Sequence, residues 1–147
     1  MKLLFILMAF SFCSLFAIGQ TTNPKYDKAL ADSLGADDNG MKTYMFVILK
    51  TGPAKIEDKK LLDSLFRGHM ENIGRLADEG KLVVAGPFGK NDRNYRGLFI
   101  LNAKTVEEAN ALLETDPTIR AKVFETEVTS WYGSAALPTY LPNHPKI

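Results

Sequence analysis

His69 is the residue whose type and setting most invite chemistry. Leu62, Leu65, Phe66, His69, Ile73 and Leu76 recur at helical spacing, and His69 is the one polar member of that stripe. Imidazole changes charge near neutral pH, and apolar surroundings tune it, so a histidine here suits general acid/base work. The competing reading is a core histidine bonded to a carbonyl or hydroxyl. A working imidazole wants a carboxylate that fixes its tautomer and stabilises the imidazolium. Asp116 and Asp78 are the candidates. At about 100° per residue, Asp78 points roughly away from His69 on the same helix. Asp116 follows the second predicted helix, and tertiary packing could bring it to the first. It is the favoured partner, although Asp116-Pro117 also reads as a helix stop.

Other positions could shape a substrate site. Gly86-Pro87 would let a backbone approach a ligand without side-chain obstruction, or simply end a strand at a sheet edge. Lys90, Arg93 and Arg96 could grip an anionic substrate, or form a solvated hairpin. Trp131 and Tyr132 could wall an aromatic pocket, with core or dimer packing as the alternative. His144 falls in a proline-containing tail and has no assigned role. With two histidines far apart and neither H-x-x-x-H nor H-E-x-x-H, no metal site is expected. No G-x-G-x-x-G, Walker loop or G-x-S-x-G is present, so no cofactor is expected either.

The composition bounds these readings. The 147 residues are 46% hydrophobic and 24% charged, which is the make-up of one globular domain. The 18 basic residues nearly balance the 17 acidic ones, and Lys2 falls in the leader described next. Such a neutral chain carries no electrostatic footprint for nucleic acid or an anionic membrane. Residues 1–19 read as a signal peptide: Lys2, then an apolar run from Leu3 to Phe16, then Ala17-Ile18-Gly19 before a cut at Gln20. The run is shorter than the ~20 residues of a spanning helix. Export to the periplasm or medium is therefore expected, with no membrane span after cleavage. The alternatives are an uncleaved anchor or a lipid on Cys13. Cys13 is the sole cysteine, so the mature chain would hold no disulfide and no cysteine nucleophile.

The elements that must position His69 follow from the hydrophobic period. Residues 20–42 are polar, and Tyr26, Leu30 and Leu34 allow a linker or a short docked helix. The domain proper spans 43–133. Tyr44 to Leu49 is a first strand, closed by Thr51-Gly52-Pro53. A helix runs from about Asp58 to Glu79, with Gly80 at the C′ position. Gly68 and Gly74 weaken it, each by about 1 kcal/mol, and would let a ligand or a packed element approach its backbone. Leu82–Ala85 and Leu98–Leu101 are the next strands. Thr105 to Glu108 is a capping box opening a helix to about Thr115. A last strand covers Val123 to about Thr129. Residues 134–147, with Pro138, Pro142 and Pro145, should be an irregular tail.

The order β-α-β-β-α-β predicts an α+β, ferredoxin-like fold: a four-stranded antiparallel sheet with two helices on one face. The first and third strands are apolar on both faces. The helix-free face therefore needs a cover, and a second copy of the chain is the simplest one, giving a homodimer through the sheet.

Several short motifs, in order, resemble a known family. They are Phe66-Arg67-Gly68-His69-Met70, Leu76 to Leu82 (LADEGKL), Ala85-Gly86-Pro87, Gly97, Glu107-Glu108-Ala109 and Asp116-Pro117. Together they are similar to the YciI-like (YCII-related domain) family over roughly Tyr44 to Tyr132. The resemblance implies a ferredoxin-like, dimeric α/β-barrel fold, similar to that of muconolactone isomerase, with a His-Asp pair in a cleft. One branch of that family dehydrochlorinates an aromatic diol-type substrate. The expectation is thus a cofactor-independent isomerase, lyase or dehalogenase. His69 and Asp116 would be catalytic, and Gly86, Pro87, Arg96 and Trp131 would contact a small cyclic or aromatic oxygenated substrate. The alternative is a non-catalytic small-ligand-binding or structural dimeric module.

Overall fold

The computed structural model describes residues 23–146. The leader falls outside them. The elements in order are α1 (Lys28–Leu34), β1 (Met41–Thr51), α2 (Lys59–Asp78), β2 (Leu82–Pro87), β3 (Tyr95–Leu101), α3 (Val106–Leu113), α4 (Pro117–Arg120) and β4 (Phe124–Ser134). A 3-10 segment, Leu137–Lys146, closes the chain. The sheet order is β2-β3-β1-β4, with every pair antiparallel. This is the ferredoxin-like arrangement.

The helix-bearing face of the sheet holds the main core. Met45, Val47 and Leu49 of β1 alternate inward, as do Phe99 and Leu101 of β3 and Phe124 of β4. Leu76 of α2 and Ala109 and Leu113 of α3 pack onto them. Helix α2 is continuous through Gly68 and Gly74. Asp58 caps its start, accepting from the backbone N–H of Lys60 and Leu61, and Gly80 follows its end at φ +67°. The tertiary contacts of Leu76 and its neighbours outweigh the intrinsic weakness of two glycines.

Three elements differ from the sequence reading. β4 runs on to Ser134, because β1 starts at Met41 and offers partners as far as Met41↔Ser134. Asp116-Pro117 does not stop a helix: α3 ends at Leu113, and Asp116 is the N-cap of the separate helix α4, with Pro117 at its first position. The tail is not irregular. A 3-10 helix has three residues per turn and accepts the fixed φ of proline, so Pro138 and Pro142 fit within it.

That tail lies on the outer face of the sheet. Leu137 packs against the cluster of Tyr44, Val83 and Ile100. The Tyr44 hydroxyl donates to the Ser134 carbonyl at 2.8 Å, and the Tyr140 hydroxyl donates to the Val83 carbonyl. Helix α1 forms where Tyr26, Leu30 and Leu34 predict one, between an Asp27 N-cap and Gly35 in the left-handed conformation. It buries none of its residues, and Tyr26 and Leu30 remain exposed.

Candidate functional site

His69 and Asp116 meet inside the helix-bearing layer. His69 lies midway along α2, and Asp116 lies at the cap of α4, 47 residues further on. His69 Nδ1 is 2.6 Å from Asp116 Oδ2. His69 is 8% exposed and Asp116 1%. The second carboxylate oxygen is also occupied. Asp116 Oδ1 accepts from the backbone N–H of Thr118 at 2.8 Å and from its hydroxyl at 2.6 Å.

The cap geometry explains why the carboxylate stands here. An N-cap aspartate must turn its oxygen toward the free N–H groups of its own helix. With Oδ1 committed to Thr118, Oδ2 is directed away from α4 and toward α2. A second network joins α2 to the turn between α3 and α4. Arg75 of α2 donates to Asn72 Oδ1 at 2.7 Å and to Thr115 Oγ1 at 3.0 Å. This fixes the residue just before Asp116.

Burial by itself would raise the Asp116 pKa. The hydrogen bond from His69 and the hydroxyl bond from Thr118 oppose it, followed by the His69 charge and the Thr118 backbone N–H. The balance holds the carboxyl below its ordinary value. Asp116 is therefore ionised at neutral pH and accepts only. The neutral imidazole facing it carries its proton on Nδ1, which leaves the Nε2 lone pair available. Nε2 makes no hydrogen bond to any described residue.

Three phenylalanines surround the ring. Phe99 of β3 stacks on it with centroids 6.1 Å apart, while Phe124 of β4 and Phe66 of α2 meet it edge-on at 5.5 and 6.4 Å. Phe66 and Phe124 also line an open hollow of about 310 Å³, whose wall includes Arg96.

The remaining candidates are dispersed. Gly86 and Pro87 sit on β2, an edge strand, opposite Leu98 and Gly97 of β3. Neither lines the hollow, and their place is that of a strand end. Trp131 lies on the outer face of the sheet against Tyr44, with centroids 5.8 Å apart. The sheet separates it from His69, because the inward residues of β4 are Phe124, Thr126 and Val128 and alternation turns Trp131 the other way. Asp78 is exposed and apart from the pair. His144 stacks edge-on with Tyr140 in the tail.

Thr118 and Asn72 are the polar partners that the sequence reading did not single out. The signal for Thr118 was present: Asp-Pro-Thr is a capping aspartate, a first-position proline and a donor two residues after the cap. Among the described residues no group of three His, Cys, Asp or Glu side chains is placed to hold a metal ion. No helix among them is long and apolar enough to cross a membrane.

A ferredoxin-like sheet carrying a buried His-Asp pair between its helices and its strands defines the class of protein. The chain belongs to the YCII-related domain family, whose profile matches residues 43–132. No curated protein matches it. Among solved structures it is similar to 5-chloro-2-hydroxyhydroquinone dehydrochlorinase (TftG) from Burkholderia phenoliruptrix AC1100, in complex with 2,5-dihydroxybenzoquinone. The identity is 23%, the match covers 59% of this chain and 92% of that one, and the TM-score is 0.42.

Proposed function

We propose that this chain is a small exported enzyme in which His69 moves a proton on a small cyclic or aromatic oxygenated substrate. The observation that carries the reading is the 2.6 Å bond between His69 Nδ1 and Asp116 Oδ2. It aims a basic Nε2 away from the carboxylate and holds a negative charge behind the ring. When Nε2 takes a proton from a substrate carbon, the C–H electron pair forms the new double bond. In an elimination, a leaving group departs with its own pair. In an isomerisation, the proton returns to a different carbon. Asp116 stays ionised throughout and stabilises the imidazolium. The phenylalanine surround suits a flat, largely apolar substrate.

The test is an unbiased ligand screen of the chain from Gln20 onward, with wild type and His69→Ala compared. A compound converted by wild type and only bound by the variant supports the enzyme. A compound bound unchanged by both selects the second reading, a ligand-binding module. That reading has its own support, because the His69–Asp116 and Thr115–Asn72 contacts also tie α2 to the start of α4 whether or not turnover occurs.

Export rests on residues 1–19, which lie outside the described residues. N-terminal sequencing of the exported product should begin at Gln20. An intact Met1 in a membrane fraction would remove this part of the proposal.

A further inference from the structure

Strands β1 and β3 change register beside the hollow. Leu49 faces Gly97, but Lys50 faces Tyr95, so Arg96 is an extra residue with no partner across the ladder. Such a bulge re-aims the side chain that it carries. Plain alternation would put Arg96 on the outer face with its second neighbour Leu98. Instead it lines the hollow beside Phe66 of α2 and Phe124 of β4, which belong to the helix-bearing side.

The chemistry of the wall is one-sided. Ile56, Leu62, Phe66, Val123 and Phe124 supply apolar surface, and Arg96 is the only charged residue among those lining it. No carboxylate lines the hollow. The Arg96 guanidinium makes no hydrogen bond or ion pair with any described residue. Ligand sites combine apolar walls with a few placed polar groups, and about 310 Å³ lies at the small end of their range. A guanidinium recognises carboxylates through two parallel N–H donors.

We infer that this hollow binds a small organic acid with a flat apolar body, its carboxylate paired with Arg96 and its ring against Phe66 and Phe124. The same two phenylalanines touch the His69 ring, so the ligand would lie one side chain away from the imidazole. The inference rests on the proposed function for the fate of the ligand, but binding needs Arg96 and not His69.

Benzoate is the probe, benzamide its neutral isostere, and acetate the same charge without the ring. In NMR titrations of the wild type, benzoate should bind at least tenfold more tightly than benzamide or acetate and shift the Phe66 and Phe124 rings. Arg96→Gln should weaken benzoate at least tenfold and leave benzamide unchanged. Arg96 is exposed, so the variant should fold, and its melting temperature checks this. Equal binding of benzoate and benzamide, an unchanged affinity in Arg96→Gln, or no benzoate binding at 10 mM (about −2.7 kcal/mol) would each overturn the inference. Benzoate binding that survives His69→Ala, in a protein that converts no compound of the unbiased screen, would keep this site and remove the enzymatic reading.

Discussion

A Cβ placed on Gly68 would sit 2.9 Å from Pro117 Cγ. Gly68 immediately precedes His69, and Pro117 immediately follows Asp116. The missing side chain therefore sets how closely α2 approaches α4, and with it the 2.6 Å contact between the pair. Gly74, about one and two-thirds turns along the same helix, has nothing within 4 Å of a built Cβ. The two glycines should respond oppositely to alanine. Gly74→Ala should stabilise by about 0.5–1 kcal/mol, the ordinary helix-interior gain. In Gly68→Ala the proline ring, which is not a flexible chain end, must move. The gain should vanish or reverse to a loss of about 1 kcal/mol or more. Urea unfolding of both variants measures the difference. Equal stabilisation at the two positions would show that α4 gives way freely.

Asp116→Asn should exchange the tautomer of the neutral His69 ring. The carboxylate accepts on both oxygens, from His69 at one and from Thr118 at the other. An amide has one acceptor and one donor end. With its oxygen on Thr118, its NH₂ faces Nδ1, which must then accept, and the ring proton moves to Nε2. Nitrogen-15 NMR of the ring should show an Nδ1–H form in wild type and an Nε2–H form in the variant. Any turnover that needs a basic Nε2 should disappear with the exchange. The altered buried network should also cost about 1–3 kcal/mol.

The same carboxylate should contribute to acid sensitivity. Its folded pKa lies below the ordinary 3.8. A group with a depressed folded pKa binds fewer protons folded than unfolded across that interval. It therefore adds stability that is fully present above the ordinary value and is lost as pH falls through the folded one. Stability should drop below about pH 4, and more steeply in wild type than in Asp116→Asn, which lacks the titrating group. Thermal melts of both from pH 6 to 2 measure this, and parallel curves would show that other carboxylates dominate.

Much of this architecture is written in local pattern. The stripe from Leu62 to Leu76 marks α2 and places His69 on its buried side. Gly80 marks its end, and Thr105 with Glu108 marks the start of α3, where the Thr105 hydroxyl accepts the Glu108 N–H at 3.2 Å. The strand order then fixes the ferredoxin-like sheet. Helix α4 escaped because four residues carry no period, and Asp-Pro signals a stop and a start equally well. The role of Asn72 escaped because its partner Thr115 lies 43 residues on and reaches it only through tertiary packing, whereas the Thr118 bond to Asp116 is local to the Asp-Pro-Thr cap. Trp131 was legible in principle: counting alternate residues from Phe124 puts it on the outer face, away from the histidine.

The outer face of the sheet gives the last prediction. The tail covers part of it, with Leu137 on the Tyr44, Val83 and Ile100 cluster. Phe46, Ile48 and Leu98 stay only partly buried there, and Trp131 is 38% exposed. These residues form an apolar strip across β4, β1 and β3, the kind of surface that a stable monomer seldom leaves to solvent. A second copy related by a two-fold axis would cover it with the same strip, burying at least ~1,000 Å² in a specific dimer. Light scattering of the chain from Gln20 onward at micromolar concentration should give the mass of two copies. Ile48→Lys, at the centre of the strip and facing away from the helices, should shift it to one copy with its melting profile still cooperative. A single-copy mass for the wild type would show that the 3-10 tail is cover enough, and that this face does not assemble.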